Sequence, residues 1–179
     1  MIKVHVGNLL DVKYGIIVHG CNAHGVMGSG VAKAIRDLYP VAYHVYARTH
    51  AQEGLELGQV VYHTPFFGLL IANAITQFDF GGPERHADYY AIRLAFRKIG
   101  RFAQEFAHNN GFEIHFPLIG AGLANGDWAK ISKIIDETIP DNVGKNLWVL
   151  NENFAQSAIS SAPEIHVRTE VRNEKDHTA

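Results

Sequence analysis

Residues 19–35 read HGCNAHGVMGSGVAKAI and follow directly on the apolar run GIIV at 15–18. An apolar run, a glycine-rich turn and a helical pattern, in that order, form a strand–loop–helix unit. In such a unit successive backbone N–H groups and a helix N-terminus converge on one point, which predicts an anion site. The same unit sets the fold class, because a nearly continuous hydrophobic strand that feeds a helix belongs to a sheet covered on both faces.

Outward from this stretch, apolar runs at 2–6 (IKVHV), 59–64 (QVVYHT), 69–75 (LLIANAI), 113–118 (EIHFPL) and 146–150 (NLWVL) read as further strands. Helical patterns alternate with them. Val31, Ala34, Ile35 and Leu38 recur at helical spacing before Pro40, which ends that helix and starts a second carrying Val41 and Val45. The longest helix is expected over 86–109, with a stripe of Ile92, Phe96, Ile99, Ala103 and Phe106, a weak point at Gly100 and a stop at Asn110-Gly111. Another, over 128–138, carries Ile131, Ile134 and Ile135 and is closed by Ile139-Pro140. The expected architecture is a single three-layer α/β/α sandwich on a mixed central sheet of about six strands. The domain is expected over 1–155. A C-terminal extension over 156–179 is expected to hold an edge strand in EIHVRTEV (164–171) and a frayed charged tail from 172.

Composition limits the function. At 179 residues the chain fits one domain that buries roughly two-thirds of its unfolded surface. Sixteen Lys and Arg against eighteen Asp and Glu, with no basic run, argue against generic nucleic-acid binding. Cys21 is the only cysteine, so no internal disulfide and no thiolate zinc cage can form. The eleven histidines are scattered and show no HExxH, which gives no reason to expect a metal. No window has the length and apolarity of a membrane span, and MIKVHVGNLL lacks the layout of a secretory leader, so the expected location is cytoplasmic.

The glycine loop fits none of the common phosphate motifs. Lys33 stands where a dinucleotide fingerprint needs its third glycine, and Ala34 where a triphosphate loop needs Ser or Thr. Met27 stands where a cysteine phosphatase built on Cys21 would need arginine, so Cys21 reads as a buried structural thiol. A second glycine loop, FPLIGAGLANGDW at 116–128, repeats the arrangement with Gly120, Gly122 and Gly126. Two such loops at the carboxyl ends of neighbouring strands would face each other across a crevice and clamp a diphosphate. Asp127 reads as a helix N-cap and Lys33 as a solvated side chain.

On VGNLL (6–10), VHGCN (18–22), GVMGSGVAKAI (25–35) and IGAGLANGDW (119–128), the sequence resembles the macro domain family, the ADP-ribose-binding fold, over roughly residues 1–150. The resemblance implies Asn8 at the adenine amino group with the backbone of Leu9 beside it, and Asn22 at the distal ribose. It implies Met27, Gly28, Ser29, Gly30 and Val31 along the first phosphate loop, and Gly120, Ala121, Gly122, Leu123 and Ala124 along the second. No metal and no cofactor are implied. The implied partners are ADP-ribose or ADP-ribose 1″-phosphate, with ADP-ribosylated macromolecules as a further class. Asn8 stands where many members carry Asp, and His19 where they carry Asn. Together with ANAITQ (72–77) and FGG (80–82), these departures look like the fungal ADP-ribose 1″-phosphate phosphatase branch, in which the histidine at the end of the second strand is associated with catalysis.

His19 is then the expected catalytic residue, orienting or deprotonating a water or protonating the leaving ribose oxygen. The competing reading is a satisfied structural histidine; His24, in the loop, is a weaker candidate. Three functions stay open: a phosphatase, a non-catalytic ADP-ribose reader, and an ADP-ribosyl hydrolase. The resembling hydrolases place a lysine where this chain has Gln77 and an acidic residue where it has Ala124, and both differences count against the third.

Overall fold

The computed structural model describes residues 1–110, 112–162 and 168–170. Strands β1 (Ile2–Val6), β2 (Gly15–Asn22), β3 (Val60–Phe66), β4 (Leu69–Gln77), β5 (Ile114–Phe116), β6 (Lys145–Val149) and β7 (Arg168–Glu170) form one sheet in the order β3-β4-β2-β5-β6-β1-β7. Only β3 runs antiparallel to its neighbour, so the sheet is mixed as expected. Among the described residues it has seven strands, where about six are expected. The seventh is the edge strand foreseen in the C-terminal extension, paired parallel to β1; the rest of that stretch and the tail lie outside the described residues.

Helices α1 (Gly30–Leu38) and α2 (Pro40–Glu53) cover one face, and α3 (Tyr89–Asn110), α4 (Trp128–Thr138) and α5 (Glu152–Ser161) the other. The period-2 alternation of the central strands sorts the core between them. Ile16 and Val18 of β2, with Ala72 and Ala74 of β4, pack under Ile92, Phe96 and Ile99 of α3 and Ile131 and Ile135 of α4. Ile17 and Ile71 turn the other way, toward Ile35 of α1 and Ala42 of α2. Pro40 stands at the first turn of α2, where its missing N–H costs nothing.

Two local expectations change. Gly100 is a contact rather than a weakness: a Cβ there would lie 2.9 Å from Cδ of Pro140 and 3.2 Å from Cα of Ile139, so glycine lets α3 approach the end of α4. The domain boundary expected at 155 falls inside α5, a helix the polar, serine-rich composition hid. Asn151 caps it by accepting from Phe154 N (3.1 Å), and Ala155 and Ala158 are buried in the main core. Among the described residues, no helix is long and apolar enough to cross a membrane.

Candidate functional site

All five central strands run parallel, so the loops after β1, β6, β5, β2 and β4 emerge along one edge of the sheet, in that spatial order. The two glycine loops are therefore neighbours, after β2 and β5. They also face each other: a Cβ on Gly30 would lie 3.3 Å from Cδ1 of Leu123. Gly30 adopts φ 56, a left-handed conformation that a larger residue resists, exactly one residue after Ser29 and at the mouth of α1.

The first intrahelical bond of α1 runs from Lys33 N to Ser29 O (3.1 Å), so the N–H groups of Gly30, Val31 and Ala32 have no partner within the helix. Ser29 makes no side-chain cap there. No described residue accepts from the N–H groups of Gly28 and Ser29 either. Across the crevice, the second loop is braced from behind. Gly126 N donates to Gly120 O (2.8 Å), Asn125 N to Gly122 O (2.9 Å), and His86 N and Ala87 N both donate to Ala124 O. That bracing leaves the N–H groups of Gly122, Leu123 and Ala124 unpaired among the described residues, and a Cβ on Gly122 would meet nothing within 4 Å. Two rigid turns thus present donors to one space, the arrangement that binds a diphosphate.

The predicted residues divide into those the crevice can use and those it cannot. Gly28, Ser29, Gly30, Val31, Gly120, Ala121, Gly122 and Leu123 line or form the facing loops, whereas Met27 and Ala124 are buried and offer only backbone. Asn22, expected at a ribose, also shapes the loop. Its Oδ1 accepts from His24 N (2.9 Å), Val26 N (3.3 Å) and Tyr46 Oη (3.0 Å), and its Nδ2 donates to Val26 O (2.7 Å). It holds the loop's shape. Asn8, exposed after β1, uses Oδ1 to cap the short 3-10 turn Leu9–Asp11 through Leu10 N (3.0 Å), while Leu9 is buried beneath it. Asp127 caps α4 through Ala129 N (2.9 Å), and Lys33 is exposed and paired with Asp37, both as expected.

His19 is placed differently from the expectation. It lies inside β2, with Gly20, Cys21 and Asn22 still to come before the strand ends, and is 0% exposed on the face covered by α2. Its Nε2 donates to Oδ1 of Asn73 (2.6 Å), whose Nδ2 donates in turn to Ala42 O (3.1 Å). Burial drives its pKa from 6.5 to about 4 against the opposing Asn73 bond, so the ring is neutral near pH 7. Cys21, 3.7 Å from His19 Nδ1, is buried and its thiol is pushed well up, an inert structural thiol. The ring of His19 has no accessible surface in this structure and is held by Asn73.

Sequence reading passed over the residues at the two ends of the crevice. At the β4 end, Phe78, Asp79 and Phe80 are exposed and gather around His24, whose ring meets Phe78 edge-on at 5.1 Å and has Nε2 3.6 Å from Asp79 Oδ1. At the β1–β6 end, Leu150 and Phe154 are exposed, and Gly7 N, next to Asn8, donates to Val149 O (2.8 Å). The exposed aromatics were the available signal, because large apolar side chains grouped beside a crevice are uncommon by chance.

The Macro domain family model matches residues 18–135. This chain belongs to the macro domain family. An uncharacterised 17.5 kDa protein of Enterobacteria phage T4 is 30% identical over 126 residues, which covers 67% of this chain and 77% of the phage protein. An ADP-ribose 1″-phosphate phosphatase of Candida albicans is 27% identical over 139 residues, covering 75% of this chain and 87% of that enzyme. Among solved structures, the macrodomain of Thermus aquaticus DarG superposes with a TM-score of 0.69 at 23% identity, over 84% of this chain and 98% of that one. The fold of this macro domain is therefore shared with that macrodomain.

Proposed function

We propose that this macro domain binds ADP-ribose along the C-terminal edge of its sheet and hydrolyses the phosphomonoester of ADP-ribose 1″-phosphate without a metal. The observation that carries the reading is the pair of facing loops with unpaired N–H groups, Gly28–Ala32 on one side and Gly122–Ala124 on the other. A diphosphate between them would accept charge-assisted hydrogen bonds of about 1.5–3 kcal/mol each, with the N-terminus of α1 adding about 0.3–2 kcal/mol. The likeness to a fungal phosphatase over most of both chains supports the substrate class.

On this reading the ligand lies across the strand ends in one direction. With the diphosphate over β5 and β2, one end of the molecule lies over β6 and β1 and the other over β4. Phe154 and Leu150 supply an apolar face for a purine at the first end. Asn8 supplies its Nδ2 as a donor to a ring nitrogen, while Oδ1 shares its remaining lone pair with the adenine amino group. The distal ribose and its 1″-phosphate then emerge at the β4 end. Hydrolysis there needs a positioned water and stabilisation of the phosphoryl charge, which oriented backbone N–H groups can provide.

The test is a calorimetric titration with ADP-ribose in the presence of chelator, followed by a phosphate-release assay on ADP-ribose 1″-phosphate with the same sample. Saturable binding and steady release are expected. Binding with no release at saturating substrate would make the protein a reader of ADP-ribose, and absence of both would end the proposal.

A further inference from the structure

The proposed reaction needs a proton donor for its leaving group, and His19 is enclosed in this structure. The second histidine of the same stretch is in a position to serve. His24 sits on the turn that Asn22 braces from both its amide atoms, so its backbone is fixed although its side chain is 41% exposed. The turn is also pinned to the next loop, because Ala23 N donates to Phe78 O (3.1 Å). Phe78 and Phe80 meet the imidazole edge-on at 5.1 and 6.0 Å. Asp79 lies between them in sequence; its Oδ1 accepts from Phe80 N (2.8 Å), and Gln77 Nε2 donates to Asp79 O (2.8 Å). The Oδ1 of Asp79 is 3.6 Å from His24 Nε2, an ion-pair separation. No described residue hydrogen-bonds His24 Nδ1.

We propose that His24, oriented by Asp79, is the general acid of the phosphatase reaction, donating a proton from Nδ1 to the leaving 1″-oxygen. This assignment rests on the ligand direction proposed above, which sends the 1″-phosphate toward the loops after β2 and β4, where this pair and its aromatic walls stand. In the step, a water oxygen bonds to phosphorus and the bond from phosphorus to the 1″-oxygen breaks. The imidazolium proton goes to that oxygen, giving ADP-ribose and dihydrogen phosphate. The phosphate then gives up a proton to solvent, and the neutral imidazole takes one back, which closes the cycle with one water consumed. Asp79 stabilises the imidazolium and fixes which nitrogen faces the substrate. The other titratable groups against this turn are His50 of α2, whose ring lies under Gly25, and Tyr46 of α2, whose hydroxyl donates to Asn22 O (2.7 Å). Tyr46 is buried with its pKa pushed far up, so it stays neutral across the working range.

The experiment measures phosphate release from ADP-ribose 1″-phosphate for the full chain, H24A, H24Q and D79N, with ADP-ribose affinity and thermal unfolding measured on each. H24A and H24Q should lose about 10²- to 10³-fold in kcat with affinity and unfolding unchanged. D79N should lower kcat while leaving ADP-ribose affinity and unfolding unchanged, a split that a merely structural role would not give. Parent-like turnover in H24A, or parent-like kcat in D79N, would overturn the assignment of His24 while leaving the phosphatase reading intact. No release from the parent protein, with ADP-ribose still bound, would overturn both.

Discussion

His19 and His24 stand five residues apart on the same strand and its outgoing loop, and the fold gives them opposite environments. His19 is enclosed between sheet and helix, has one committed partner in Asn73 and is held neutral by burial. His24 is partly exposed, faces a carboxylate and, among the described residues, leaves one ring nitrogen unpaired. The difference comes from the strand's end. Inside β2 a side chain of that parity must point into the α2 face, whereas beyond Asn22 the chain turns and the rule no longer applies. A histidine's chemistry therefore follows from which side of that boundary it occupies.

The largest expected effect concerns the buried member. His19→Ala leaves Oδ1 of Asn73 buried without its donor and opens a cavity, so it should destabilise the fold by about 2–4 kcal/mol in chemical denaturation. A stability change near zero would mean that the ring is not packed as described. The same burial has a pH signature. The folded pKa lies near 4 against 6.5 for the free ring, so an unfolded chain binds the proton more readily between those values. This contribution is fully present above pH 6.5 and is lost as pH falls toward 4, about 3 kcal/mol over that window. Comparing denaturation curves of the parent protein and His19→Gln across this range isolates it; parallel pH dependence in the two would contradict the assignment.

Next in size is the crevice itself. Gly122→Trp places a ring where a Cβ meets nothing, so folding should be unaffected while ADP-ribose affinity falls by more than about 100-fold in titration calorimetry. Unaltered affinity would separate the second loop from the site. Smallest is Asn8→Ala, which removes the cap on the 3-10 turn and a polar contact at the base end. It should cost about 1 kcal/mol of stability and about tenfold in affinity, both readable from unfolding and titration of the one variant.

Much of this was legible in the sequence where a pattern repeats. The strands and four of the helices follow from hydrophobic period and from proline and asparagine punctuation, and the two glycine loops from their position between strand and helix. What the sequence hid depended on partners distant in the chain. Whether His19 is free or bound is decided by Asn73, 54 residues away, and whether Asn22 reaches a ligand is decided by Tyr46 and by the turn it folds around. α5 was concealed because its inward face is alanine, which carries too little hydrophobic contrast to stand out among serines. The aromatic cluster around His24 comes from two loops joined only by strand pairing between β2 and β4.

The central claim is that backbone donors of two loops hold the diphosphate. It is tested most directly by following the amide resonances of the protein during titration with ADP-ribose in chelator. Gly28, Ser29, Gly30 and Val31 of the first loop and Gly122, Leu123 and Ala124 of the second should shift together and saturate at one equivalent. Shifts confined to other surfaces, such as the groove between Arg93 of α3 and Lys130 and Lys133 of α4, with these seven amides unmoved, would contradict it.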